Sequence, residues 1–97
     1  MTMVLAILRA KPEQADALEA ALREVAESTP REPGALAYTV ARQDGDRFLV
    51  AERYADGAAR DAHFAAPYVT GLLARFPELL AEEPQVELAE VLSSFTR

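Results

Sequence analysis

The chain of 97 residues has no cysteine, no tryptophan and a single histidine, and each scarcity excludes a class of protein. Without cysteine there is no disulfide framework, thiol nucleophile or zinc ribbon, which is compatible with a reducing cytoplasm. Metal sites of the facial-triad or carbonic-anhydrase type need at least two histidines. We therefore expect a cytoplasmic protein without a metal cofactor.

Basic residues are too few for a nucleic-acid or anionic-membrane partner. Ten Lys and Arg stand against sixteen Asp and Glu, which gives a net charge of −6, whereas a phosphate-binding face needs basic residues in excess. The apolar residues 3–8 follow no positive charge, are too short to span a membrane and run into Arg9 and Lys11. They predict a strand and not a signal peptide.

Sequence motifs for nucleotides and for activated serine are also missing. The chain has neither a GxGxxG nor a GxxxxGK motif. Ser28, Ser93 and Ser94 fall at a helix end and in the tail, outside the strand-turn-helix context of a serine nucleophile. Acid–base chemistry and simple binding in a pocket remain as possible functions.

A length of 97 residues predicts one domain, over residues 1–97, and the hydrophobic periodicity predicts its secondary structure. Its elements are a strand at 3–10, a helix at 12–29, strands at 35–42 and 47–54, a helix at 57–66, helical turns at 68–76 and 78–82, and a strand at 85–92. Asp44-Gly45 predicts a hairpin turn, and Asp56 stands where a helix N-cap belongs. This order indicates a βαββαβ domain of the α+β class, with helices on one face of a four-stranded antiparallel sheet.

The two central strands are apolar on both sides. In the strand at 47–54, Phe48 and Val50 alternate with Leu49 and Ala51, and the preceding strand alternates large apolar residues with alanine. A sheet with one solvated face should show polar residues at alternate positions instead. Because helices cover only one face, we expect a second copy of the chain to cover the other, as a two-fold homodimer.

Acid–base chemistry near neutral pH would begin at His63, because histidine is the one type of side chain whose unperturbed pKa lies close to 7. Glu52 lies eleven residues earlier on a strand and could fix the tautomer of the imidazole. Arg53, Tyr54 and Tyr68 could add polar contacts in a pocket of small and aromatic side chains. The alternative is structural: a packed histidine, a glutamate paired with an arginine, and aromatic side chains that belong to the core.

Several of these residues together resemble the antibiotic biosynthesis monooxygenase (ABM) family. The resemblance rests on Glu-Pro-Gly at 32–34, Phe-Leu-Val-Ala-Glu-Arg-Tyr at 48–54, Ala59, His63 and Pro67-Tyr68, and it spans nearly the whole chain. It implies a ferredoxin-like α+β domain that dimerises through its sheets. It also implies oxygenation of electron-rich quinols or phenols by dioxygen without flavin, haem or metal, and therefore no cofactor.

The resemblance also suggests roles for the candidate residues. His63 would accept the substrate proton and Glu52 would orient it or act as a second polar anchor. Tyr54, Phe64 and Tyr68 would form aromatic walls around a small aromatic substrate. Arg53 would be an interface cation or an anchor for a substrate carbonyl.

The chain departs from the family pattern at some positions. Tyr54 stands where many members have Trp, and haem-degrading relatives rely on an Asn in the first strand, where this chain has Ala6. Haem degradation is therefore not expected. Isomerases of phosphorylated keto sugars and non-catalytic binding proteins share the dimeric fold; a pocket lined by Arg42, Arg53 or Arg75 would favour the isomerase, and an apolar pocket the oxygenase.

Overall fold

The computed structural model describes all 97 residues as a four-stranded antiparallel sheet with three α-helices. The strands are β1 (Thr2–Arg9), β2 (Ala35–Gln43), β3 (Arg47–Tyr54) and β4 (Gln85–Glu90), and the helices are α1 (Ala15–Ser28), α2 (Gly57–Ala65) and α3 (Pro67–Leu79). The strands lie in the order β2-β3-β1-β4, which confirms the predicted ferredoxin-like α+β fold. None of the helices combines the length and the hydrophobicity that crossing a membrane requires.

Local signals in the sequence account for the turn and the cap that frame β3. Asp44 and Gly45 have φ angles of 49° and 80°, in the left-handed region that Asp-Gly tolerates, so the predicted hairpin forms. At the other end of β3, the Asp56 carboxylate accepts the backbone N–H of Ala59 at 2.8 Å and caps α2. Both predictions are confirmed, and together they fix where α2 begins relative to β3.

Helix α3 differs from its prediction at Pro77. The sequence predicts two pieces, at 68–76 and 78–82, but α3 continues through Pro77 and ends at Leu79. Proline has no backbone N–H and therefore removes one backbone hydrogen bond of the helix. In the last turn few helical hydrogen bonds remain to be made, so the helix tolerates this loss. The prediction of a separate second helical piece is therefore wrong. The last strand is also shorter than the predicted range 85–92, since β4 ends at Glu90.

The hydrophobic core lies between the helices and one face of the sheet. From α1, Leu18, Leu22 and Val25 are at most 3% exposed and follow the three- and four-residue spacing of a helix face. Phe48 and Val50 meet them from β3 and are at most 2% exposed. Since burying one such side chain contributes about 1.5–3 kcal/mol, this core fixes the helices against the sheet.

The opposite side of the sheet, here called the outer face, carries no helix. Strand alternation directs Met3, Leu5, Ile7, Leu49, Ala51 and Arg53 to this face, and all six are only partly buried. Arg53 donates to the hydroxyls of Ser94 and Thr96, both at 3.0 Å, and so ties the C-terminal segment to the outer face. The outer face is thus apolar at its centre and only partly covered by the chain itself.

Candidate active site

His63 lies between two carboxylates in the interior of the protein. It projects from α2, is 1% exposed, and its Nδ1 is 3.0 Å from Oε2 of Glu32. Its Nε2 is 3.6 Å from Oε1 of Glu52, beyond ordinary hydrogen-bond length. Glu52 and His63 therefore meet at one site, and Glu32 completes it from a third direction.

Strand geometry brings Glu52 to this site together with two tyrosines. Residues 52 and 54 point to the same side of β3, and the Tyr54 hydroxyl donates to Oε1 of Glu52 at 2.5 Å. Tyr38 stands directly opposite Glu52 in the pairing of β2 with β3, and its ring centroid lies 5.5 Å from that of His63. The result is a buried carboxylate supported by one phenol and flanked by another.

The loop before β2 supplies Glu32 and the space that the site needs. Gly34 packs against α2 so closely that a Cβ atom there would lie 2.4 Å from the Cβ of Ala59. Ala59 is one helical turn before His63, so the missing side chain at Gly34 lets α2 carry His63 within reach of Glu32. The Tyr68 hydroxyl at the start of α3 also donates to Oε2 of Glu32.

Burial governs the electrostatics of the site. It raises the pKa of Glu52, against the lowering effects of the Tyr54 hydrogen bond and of His63. Burial, together with the neighbouring carboxylates, also raises the pKa of both Tyr38 and Tyr54 well above the usual range. The two phenols therefore keep their protons at neutral pH, and the Tyr54 hydroxyl donates its proton in the hydrogen bond to Glu52.

The tautomer of His63 follows from these contacts. The nitrogen next to the Glu32 carboxylate carries the proton, because a carboxylate accepts hydrogen bonds and cannot donate them. Nδ1–H therefore donates to Glu32, and Nε2 is left as the basic nitrogen. A base with a fixed orientation and a free lone pair is the arrangement that general-base catalysis uses.

A small apolar cavity adjoins His63. Its volume is about 60 Å³, and eleven of its thirteen lining residues are hydrophobic, the others being Glu52 and His63. Phe64 lies edge-on to the imidazole with ring centroids 5.3 Å apart and also lines the cavity. Leu73 of α3 and Val86 of β4 form its outer wall, since they line it while being 40% and 49% exposed.

The structure groups most, but not all, of the candidate residues. Tyr54, Phe64 and Tyr68 have rings within 6.3 Å of the His63 ring. Arg53 does not join them, because adjacent residues of a strand point to opposite faces and Arg53 lies on the outer face. A role for Arg53 as a substrate anchor beside His63 therefore has no geometric support.

Two residues of the site were not singled out by sequence reasoning. Glu32 belongs to the Glu-Pro-Gly segment that carried the family resemblance, but no periodic pattern assigns a loop residue to a site. Tyr38 belongs to an apolar strand, and only the register between β2 and β3 places it opposite Glu52. The one signal for Glu32 in the sequence was its place in that Glu-Pro-Gly segment, two residues before Gly34.

Comparison with known proteins agrees with the fold. Residues 1–84 match the family model described as antibiotic biosynthesis monooxygenase. The chain belongs to this family. Rv0793 of Mycobacterium tuberculosis has a similar structure, with 27% identity, a TM-score of 0.91 and 98% of each chain covered. A crystal structure of an antibiotic biosynthesis monooxygenase is similar at 30% identity and a TM-score of 0.86, over 96% of this chain and 100% of that one.

One curated relative of this ABM protein is also similar in sequence. It is the uncharacterized protein sll1783 of Synechocystis, which is 25% identical over 91 residues. The match covers 92% of this chain but spans only 62% of the length of that relative. Membership of this family therefore establishes the fold of the ABM domain.

Proposed function

We propose that this ABM protein is a cofactor-independent monooxygenase of an electron-rich quinol or related phenolic compound. The observation that carries the proposal is the orientation of His63. Its Nδ1 is held by Glu32 at 3.0 Å, and the ring borders a cavity that is almost entirely apolar. Such a site supplies a base in a nearly dry environment, which is what a substrate needs in order to become a carbanion and reduce dioxygen directly.

The reaction balances without a further reactant. In an anthrone, which is the keto tautomer of a phenol, the activated ring carbon carries two hydrogens. Nε2 of His63 removes one of them as a proton, and the carbanion bonds to one atom of dioxygen. The imidazolium returns the proton to the resulting peroxide, the O–O bond breaks, and water leaves with the second hydrogen from that carbon. The carbon becomes a carbonyl and loses four electrons, which the two oxygen atoms accept.

The surrounding side chains hold the base in place. Glu32 and Glu52 would stabilise the imidazolium that forms when His63 accepts the proton, since opposite charges attract strongly away from water. Tyr68 and Tyr54 would in turn fix the two carboxylates through the hydrogen bonds that they donate to them. On this proposal Phe64 forms an aromatic wall next to the base.

The isomerase alternative lacks the basic pocket that a phosphorylated ligand requires. Arg42 donates to Asp16 and Glu19 on the surface, and Arg75 lies in a cleft beside Tyr68, so neither lines the cavity at His63. The apolar lining favours the oxygenase. A protein that only binds a small molecule would keep its ligand affinity when His63 is replaced, whereas the oxygenase would lose turnover.

A substrate with fused rings requires the outer wall to open. Pockets that enclose drug-sized ligands measure about 300–1,000 Å³, whereas this cavity measures about 60 Å³. Leu73 and Val86 line the cavity, are both exposed to solvent, and belong to different elements, α3 and β4. On this proposal the aromatic substrate enters between α3 and β4.

We also propose that two copies form a homodimer through their outer faces, in a cytoplasmic protein without nucleic-acid or membrane partners. The chain exposes 5986 Å², compared with about 5,500 Å² for a typical monomer of this mass. Met3, Leu5, Ile7 and Leu49 form the apolar centre of the outer face. A second sheet packed against them would bury that surface.

The proposed reaction is tested by oxygen uptake with a panel of anthrones and hydroquinones. We expect His63→Ala to lower the rate about 10²–10⁴-fold, the usual contribution of a general base. Glu52→Gln should lower it less, because the amide keeps the shape but loses the charge. Glu24→Gln, the same change at an exposed position of α1, is the matched control and should have no effect.

Two results would contradict the proposal. One is oxygen uptake that never exceeds the background for any substrate in the panel. The other is full activity in both His63→Ala and Glu52→Gln, which would remove the base from these residues.

A further inference from the structure

We infer that the cavity beside His63 is a binding site for dioxygen, and that the aromatic substrate enters between Leu73 and Val86 and brings only its reacting carbon to the mouth of the cavity, next to His63. This assignment rests on the proposed function for the identity of the gas. Three properties of the cavity carry it: its size, the polarity of its lining and its position next to the base.

The size of the cavity fits a diatomic molecule. A volume of about 60 Å³ is several times the roughly 10–15 Å³ that a single water needs. It is well below the roughly 150 Å³ of an engineered cavity that binds benzene. Dioxygen fits in this interval, and an aromatic ring does not.

The lining favours an apolar gas over water. A buried water typically makes about three hydrogen bonds. The polar groups that line this cavity belong to three residues, Glu52, His63 and Tyr38. Oε1 of Glu52 already accepts from Tyr54 and Nδ1 of His63 already contacts Glu32, which leaves Nε2 of His63 and Oε2 of Glu52 as the acceptors of these two residues without a hydrogen bond. Dioxygen makes no strong hydrogen bonds and therefore loses little on leaving water for this site.

The position of the cavity explains why a dioxygen site there would serve the reaction. His63 and Glu52 both line it, so bound dioxygen touches the residue that removes the substrate proton. The carbanion would form within reach of its oxidant and would not wait for a second diffusional encounter. The competing reaction, in which the carbanion takes a proton from solvent, would then be slower than the reaction with dioxygen.

Occupancy can be measured on the wild-type protein without any substrate. Methyl groups are ¹³C-labelled, and their proton relaxation is compared under dioxygen and under nitrogen, because paramagnetic dioxygen accelerates relaxation where it resides. We expect a several-fold larger enhancement at the cavity methyls of Val4, Leu22 and Val50. The methyls of Leu18 and Leu79 are equally buried but do not line the cavity and serve as internal controls.

A variant tests whether the cavity itself is responsible. Ala6→Val adds two methyl groups at the cavity wall on β1, where a β-branched residue suits a strand. We expect the enhancement to be lost in this variant, and the KM for dioxygen to rise several-fold while the KM for the aromatic substrate is unchanged. Ala41→Val, on the other side of the sheet in β2, should leave both measurements as in the wild type.

The outcomes separate this inference from the proposed function. Enhancement that is equal at cavity methyls and control methyls overturns the dioxygen site, even if the protein consumes oxygen. Ordered water found in the cavity by water-to-methyl magnetisation transfer overturns it as well. Localised enhancement in a protein that oxidises no substrate supports the site and refutes only the reaction.

Discussion

Replacing Gly34 by alanine should both destabilise the protein and detach His63 from Glu32. The added Cβ would lie 2.4 Å from the Cβ of Ala59, while carbon atoms in contact prefer about 3.5–4.0 Å. Neither partner is a flexible side chain, so α2 has to retreat by at least about 1 Å. His63 is one turn further along the same helix and would move with Ala59.

The magnitudes follow from that displacement. A retreat of about 1 Å takes the Nδ1 to Oε2 distance from 3.0 Å past the length of a hydrogen bond. Overpacking of this kind costs about 1–3 kcal/mol, and each kcal/mol lowers Tm by about 4–8 °C in a domain of this size. A misplacement of 1 Å in a catalytic group costs about 10²-fold in rate.

The assay has two parts, a thermal unfolding curve and the imidazole N–H signal of His63 in the proton NMR spectrum. The signal is unambiguous because the chain has a single histidine. Gly71→Ala is the matched control: it lies inside α3, a Cβ there meets nothing within 4 Å, and alanine should stabilise the helix by about 0.5–1 kcal/mol. If Gly34→Ala melts like the wild type and keeps the imidazole signal, the contact with Ala59 does not position α2.

Two further predictions concern the buried carboxylate and the outer face. The pKa of Glu52 is raised above its ordinary value of 4.5, so at a pH between the two values the folded state still holds a proton that the unfolded chain has lost. The contribution of Glu52 to the free energy of unfolding therefore falls as the pH rises through this range. Urea unfolding at several pH values should therefore show Glu52→Gln gaining on the wild type as the pH increases, and parallel pH profiles would contradict this. For the dimer, sedimentation at low micromolar concentration should show a dimer for the wild type and a monomer for Ile7→Glu, with the exposed helical variant Ala62→Glu as control. A stable monomeric wild type would refute the role of the outer face.

The fold was predictable because its signals are local and periodic. The amphipathic spacing of α1, the Asp-Gly turn after β2 and the Asp56 cap each act over a few residues and are confirmed by the structure. Pro77 misled the prediction because a proline ends a helix or merely sits in its last turn depending on packing beyond its neighbours. The same holds for the end of β4, which depends on pairing with β1.

The candidate site was predictable only in part. Alternation along β3 places Glu52 and Tyr54 together, and the helix that covers the sheet carries His63, so these three follow from periodicity. Glu32 approaches His63 only because the loop before β2 packs on α2, a contact between residues 31 positions apart. Strand alternation could have shown that Arg53 and Glu52 point to opposite faces of the sheet. The hydrogen bonds of Arg53 to the C-terminal segment, by contrast, depend on tertiary structure.

The position of one imidazole between two carboxylates also sets which molecules the site tolerates. With Glu32 and Glu52 ionised, the three side chains together carry a charge of −1 even when His63 is protonated. A substrate with a fixed negative group, such as a sulfonate, would be repelled before its shape mattered, while a neutral phenol would enter freely. Once His63 has removed the proton from the ring carbon of the substrate, the same negative surroundings raise the energy of the carbanion and make it a stronger electron donor.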